Sequence, residues 1–300
     1  MSDAVQEIRQ RVLRALALNR EPGFHFIGNL ADVSFESTAA EAARVVFQNG
    51  PHLADVDGQA NVGVVAMVAD MALAASIRAN LHPATRLATV SMALQLTGAR
   101  FDGDVEATGE FRGFIGKQGL ARAVLRNASG TLAIAQGAFM PLEKAPGIAR
   151  FPLPRAPRAA PVLAPEDLNA DEKRILARVE QMLAAGKTDF VRRLLGYEPR
   201  RTKAGASCTM PNGLHASNRV GHVQGGILMG LAASTAVGAL PTTWALSAIT
   251  ACFVSPGQGK SLRTRSRIVH QGSMTAVVRT EVVGPEGRRV LDATTTHWRR

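Results

Sequence analysis

Residues 218–241 read NRVGHVQGGILMGLAASTAVGALP, and no charged residue occurs between Arg219 and Lys260. A run of that length raises the question of a membrane span. Pro241 interrupts it, and Gln224, Ser234, Thr235, Thr242, Thr243, Ser247 and Thr250 are spread through it. The pattern therefore predicts a buried helix, a turn at Pro241 and then a strand, with no membrane span. The turn Gln224-Gly225-Gly226-Ile227 marks the start of the helix.

The same arrangement occurs earlier in the chain. Residues 61–83 read NVGVVAMVADMALAASIRANLHP, again a Gly-bearing turn, a small apolar helix and a terminating proline, Pro83. Upstream of each helix lies an amphipathic segment, Val5–Leu18 and Glu172–Ala185. Downstream of each come alternating β-rich segments. The likeness is literal late in each half: Lys117-Gln118-Gly119-x-x-x-Ala123-Val124-Leu125-Arg126 matches His270-Gln271-Gly272-x-x-x-Ala276-Val277-Val278-Arg279. Between the halves, residues 143–165 form a proline-rich seam with Pro146, Pro152, Pro154, Pro157, Pro161 and Pro165, the composition of an extended connector. The chain reads as a diverged tandem repeat, with units at 1–142 and 166–300. Each unit is one long apolar helix followed by about four sequential antiparallel strands, an α+β architecture.

Composition bounds the function. Of 300 residues, 46% are hydrophobic and 20% charged, which fits two cored units and excludes a disordered, collagenous or disulfide-framed chain. The two cysteines, Cys208 and Cys252, suit a reducing compartment. The first ten residues carry no apolar signal segment, so a cytoplasmic location is expected. The net charge of +11 resides in the second half, since residues 1–150 hold 14 basic and 14 acidic side chains. That asymmetry points to an anionic partner. With one Tyr, two Trp and no recognisable nucleic-acid motif, charge alone carries little for nucleic-acid binding. The seven histidines form no metal-ligand spacing, so no metal site is expected.

Asn218-x-x-Gly221-x-x-Gln224-Gly225-Gly226 resembles the Asn-x-x-Gly-x-x-His-Gly-Gly signature of hotdog-fold acyl-CoA thioesterases of the phenylacetate-pathway (PaaI-like) type. The resemblance implies that each unit is a hotdog domain, an antiparallel sheet wrapped around a long central helix, with the two fused as an intrachain pseudo-dimer. It also implies hydrolysis of an acyl-CoA thioester to free acid and CoA, with no cofactor beyond the CoA of the substrate. In that family the signature opens the central helix, an acid lies nine positions after the His, and the site forms between two subunits.

The departures from the signature are complementary. The first unit carries the acid, Asp70, but has Asn61 and Val62 where the family has His-Gly. The second has Gly225-Gly226, with Gln224 in the His position, but Ala233 in place of the acid. Crossing the halves yields one complete site, Asp70 with Gly225 and Gly226, and one dismantled site, Asn61 and Val62 with Ala233. The N–H of Gly225 at a helix amino terminus, with Gly226 beside it, suits the oxyanion of a thioester. Asp70 would be general base or nucleophile, and burial among Met67, Val68, Met71 and Leu73 would raise its basicity. By the resemblance Thr89 holds the water, while Asn218 and Gln224 position the carbonyl or the turn.

Bland readings stand beside these. Asp70 could be a paired helix acid, Gly225-Gly226 a plain helix start, Thr89 a plain strand residue, and His222 an exposed or structural imidazole. Arg263, Arg265 and Arg267 share one strand face, which would meet the phosphates of CoA or simply be solvated. A non-catalytic acyl-CoA-binding scaffold on the same fold is the alternative, and a thioester dehydratase a weaker third. A homodimer with four hotdog units is compatible with the sequence.

Overall fold

The computed structural model describes residues 3–55, 59–144, 153–155, 160–186 and 189–300. Most of the proline-rich seam thus lies outside the described residues. Within the seam, the carbonyl of Pro154 accepts a hydrogen bond from Phe35 N at 2.9 Å.

The first half opens with α1 (Asp3–Arg20) and the short α2 (Phe26–Leu30), followed by β1 (Ser34–Thr38) and β2 (Ala42–Gln48). Next come α3 (Val62–Arg78), β3 (Thr85–Leu96), β4 (Asp104–Ile115), β5 (Gln118–Asn127) and β6 (Gly130–Lys144). The second half repeats the order with α4 (Ala170–Ala184), α5 (Phe190–Leu195), β7 (Arg200–Thr202), β8 (Gly205–Pro211), α6 (Gly225–Ala239), β9 (Trp244–Phe253), β10 (Ser261–Gln271), β11 (Thr275–Val283) and β12 (Arg289–Arg299).

Among the described residues four strands follow each apolar helix, as expected, and each half has two further strands that were not expected. Two short strands precede each apolar helix, in stretches such as AARVVFQ (42–48) where Ala and Arg blur the alternation of a half-buried strand. All twelve strands join one antiparallel sheet in the order β1-β2-β4-β5-β6-β3-β9-β12-β11-β10-β8-β7. The sequence on either side of the β3/β9 seam is the same when corresponding strands are exchanged. At that seam Met92 pairs with Ala251 and Ala93 with Thr250.

The strands fold round two helices. α3 packs on β2, β4 and β5, and α6 on β8, β10 and β11. Both are apolar on nearly every side, which is the pattern of a helix enclosed by its surroundings rather than lying on a surface. They also cross each other closely. A Cβ added at Gly226 would stand 2.1 Å from Met67 N, and one at Gly230 would stand 2.4 Å from Gly63 Cα. Only residues without a side chain allow this backbone approach, and it brings the first turns of α6 against the first turns of α3.

The outer helices also connect the halves. Asn169 and Glu172 form a capping box at the start of α4. The buried Glu172 carboxylate additionally takes a bidentate pair from Arg20 of α1, at 2.9 and 2.6 Å.

Candidate active site

α3 is 17 residues long, and Asp70 at its middle is its one acid. It is only 9% exposed. Burial favours the neutral form and lifts the carboxyl to about 6, against the opposing effect of hydrogen bonds from Thr89 and Gln224. Thr89 Oγ1 donates to Asp70 Oδ1 at 2.8 Å. Thr89 stands on β3 where the pairing with β6 shifts register, and such a bulge re-aims a side chain. Gln224 Nε2 donates to the other oxygen, Oδ2, at 2.9 Å. Each carboxylate oxygen is thus held by one donor, and the two donors come from opposite halves of the chain.

Gln224 has a second task. It is the N-cap of α6, and its Oε1 accepts from Ile227 N at 3.1 Å. One amide therefore fixes both the helix start and the acid. The first-turn N–H groups of Gly225 and Gly226 have no carbonyl four residues back inside the helix to receive them. They carry the positive end of the helix dipole. A Cβ at Gly225 would lie 3.4 Å from Phe253 Cε1, 3.6 Å from Thr89 Oγ1 and 3.7 Å from Asp70 Oδ2. The glycine thus opens a space bounded by a ring, a hydroxyl and the carboxylate. Gly226 differs, since its missing side chain leaves room for the backbone of α3.

The structure brings Asp70, Thr89, Gln224 and Gly225 into one cluster and places the other candidates elsewhere. Asn218 Oδ1 accepts from the N–H groups of Val220 and His222, at 3.0 and 3.1 Å, and so closes the loop ahead of α6. His222 pairs through Nε2 with Gln258 at 2.6 Å. Arg263, Arg265 and Arg267 are exposed on β10, while the alternate Leu262, Thr264 and Ser266 face inward. Thr264 meets Thr235 of α6 at 2.7 Å. The three guanidinium groups therefore point away from the helices, on the fourth strand from β3, about 19 Å away at the usual strand spacing.

The opposite crossing is built differently. Asn61 caps α3 by accepting from Gly63 N at 2.9 Å, and its Nδ2 donates to Asp55 Oδ2 at 2.8 Å. Asp55 belongs to the loop before the same helix, so this amide stays within its own half. Ala233 is fully buried.

Asp55 and Phe253 escaped the reading of the sequence. Two buried histidines also escaped it, His52 and His215, each nine residues ahead of its helix cap. Their shared Asn-Gly-x-His spacing, at Asn49 and Asn212, was the available signal. Burial holds both neutral, His52 at about 3 and His215 at about 4.

No protein-family model matches the sequence, and no curated protein matches it significantly. Solved structures do resemble it. A candidate oleoyl thioesterase from Lactobacillus plantarum superposes with a TM-score of 0.56 at 11% identity, covering 86% of this chain and 96% of its own. A protein of unknown function with a hotdog fold from Alicyclobacillus acidocaldarius gives 0.53 at 10% identity, with 89% and 95% covered. The TesB protein of Mycobacterium avium subsp. paratuberculosis gives 0.52 at 13% identity, again with 89% and 95% covered. At such identities the likeness defines the fold: the chain is built on the hotdog plan over most of its length. Among the described residues, no helix is long and apolar enough to cross a membrane.

Proposed function

We propose that this chain is a tandem-hotdog acyl-CoA thioesterase with one composite active site between its two halves. The observation that carries the reading is the bridge Gln224–Asp70, at 2.9 Å across the halves. It sets the only acid of α3 beside the glycine start of α6. The names of the structural neighbours agree with this chemistry, and the Gly225-Gly226 signature resembles the PaaI-like type.

In the proposed reaction the thioester carbonyl oxygen points at the N–H of Gly225. Ionised Asp70 takes a proton from a water held with the help of Thr89, and the hydroxide oxygen attacks the carbonyl carbon. Negative charge develops on the carbonyl oxygen, where the helix dipole and the Gly225 N–H stabilise it. Collapse of the tetrahedral intermediate breaks the C–S bond, and the departing sulfur takes the proton from Asp70. The products are a free acid and CoA.

Release of free thiol from short-, medium- and long-chain and phenylacetyl CoA thioesters tests the proposal. Hydrolysis that falls about 100-fold or more in Asp70→Asn is the expected result. Full activity in that variant would overturn the mechanism. Tight acyl-CoA binding without thiol release from any substrate would select the non-catalytic alternative.

A further inference from the structure

α2 and α5 end alike. Each is followed by a residue in the left-handed region, Asp32 at φ 50° and Gly196 at φ 78°. In each case the next N–H reaches back five residues: Val33 N to Gly28 O at 3.0 Å, Tyr197 N to Arg192 O at 2.9 Å. An arginine from the preceding long helix approaches each of these corners. In the first half Arg14 meets the Asp32 carboxylate at 3.0 Å. In the second half Arg178 approaches Gly196, and a Cβ built there would stand 3.5 Å from Arg178 Nη2. The arginine is retained, but its carboxylate is gone.

A cavity of about 670 Å³ occupies this corner, between α4, α5 and the β7–β8 edge. Arg178, Arg193 and Arg200 line it against a single acid, Glu198, with Ser207 and Thr209 as hydroxyl donors. Met182 and Pro211 supply an apolar wall. Arg178 Nη2 donates to Arg193 O at 2.9 Å. Its Nε is sealed from solvent without a hydrogen-bond partner among the described residues, and no ion pair holds Arg178 among those residues. A guanidinium fork presents paired donors that match an oxyanion, and the volume suits a small metabolite rather than a bare ion.

We propose that this cavity binds a small molecule through a carboxylate or phosphate group, which occupies before Arg178 the position that the Asp32 carboxylate holds before Arg14. The site shares no residue with the Asp70 cluster and does not depend on the thioesterase reading.

Calorimetric titration of the full chain with hexanoate, inorganic phosphate and neutral hexanamide tests it. One equivalent of hexanoate or phosphate should bind in the millimolar range or tighter, and hexanamide should not. Binding of hexanoate alone would define a carboxylate site, and of phosphate alone a phosphate site. Arg178→Gln should weaken binding about tenfold or more. Arg200→Ser, at an exposed strand edge that tolerates change, should weaken it severalfold with thiol release unaltered, which keeps the test valid if Arg178→Gln fails to fold. Absence of binding by both anions, or binding equal in wild type and Arg200→Ser, would overturn the proposal.

Discussion

Replacing Asp70 by Asn should lower hydrolysis about 100-fold or more and stabilise the protein. In the native structure the carboxyl sits at about 6 instead of 3.8 because burial penalises its charged form. A displacement of roughly two pH units corresponds to about 3 kcal/mol. The sign follows from proton linkage. Below pH 4 the carboxyl is protonated in both folded and unfolded chains and contributes no difference. Between pH 4 and 6 the unfolded chain releases its proton while the native one retains it, so native stability falls as pH rises. Above pH 6 the full penalty is present.

Asparagine has the same shape and carries no charge. Its Oδ1 can accept from Gln224 Nε2, and its Nδ2 can donate to Thr89 Oγ1, the two partners that hold the carboxylate now. The variant therefore escapes the charge penalty while keeping a hydrogen bond to each of the two partners. Thermal unfolding of both proteins from pH 4 to 8 should show equal midpoints at the acid end. At pH 8 the midpoint of Asp70→Asn should be higher by roughly 5 °C, for a chain of this size. A difference independent of pH, or a less stable variant at pH 8, would refute the assignment of Asp70 as a buried acid with a raised pKa.

Further outcomes follow from the same geometry. Wild-type kcat/KM should rise through an inflection near pH 6 as Asp70 ionises, and a profile flat from pH 5 to 8 would remove Asp70 as the base. Gln224→Ala should cost about 1 kcal/mol of stability through the lost cap and move that inflection upward, because the carboxylate loses a donor that favours its charged form; urea unfolding and the pH profile read the two effects separately. Gly225→Ala should fold within about 1 kcal/mol of wild type yet lose about 100-fold in kcat/KM as the methyl displaces the substrate. Gly226→Ala should instead lose about 3 kcal/mol, because the methyl meets Met67 N at 2.1 Å. Equal loss of stability in the two glycine variants would contradict the division of roles between them.

The elements most legible in the sequence were those whose surroundings leave a composition. α3 and α6 are enclosed, so they had to be apolar on nearly every side, and their Gly-bearing turns and terminating prolines stood out. The later strands alternated clearly, as in β10, where Leu262, Thr264 and Ser266 face inward. The short strands before each helix carried too little pattern, and the pairing of β3 with β6 and β9 is a long-range fact that local periodicity does not encode. At the site, the resemblance to the thioesterase signature pointed to Asp70 and the glycine turn. It could not show that Gln224 reaches the acid with one end of its amide while capping α6 with the other. Nor could it show the direction of the arginines on β10: alternation says that three residues share a face, and only the position of α6 says which face is outward.

The unequal crossings give a physical reason for having both halves in one chain. Two identical subunits related by a two-fold axis would present the same acid and the same turn at both sites, so any substitution would affect both. Fusion removes that constraint. Here the amide at the second helix start reaches across to Asp70, whereas the amide at the first is tied to Asp55 in its own half. Ala233, where the second acid would stand, is sealed in the core. A carboxylate there would face no Gln224-like donor, because Asn61 is already engaged, and it would carry a burial penalty comparable to that of Asp70. Restoring the motif with Ala233→Asp alone should therefore destabilise the protein by about 3 kcal/mol at pH 8 without adding activity. A gain in thiol release from that single substitution would show that the second crossing is a competent site lacking only its acid.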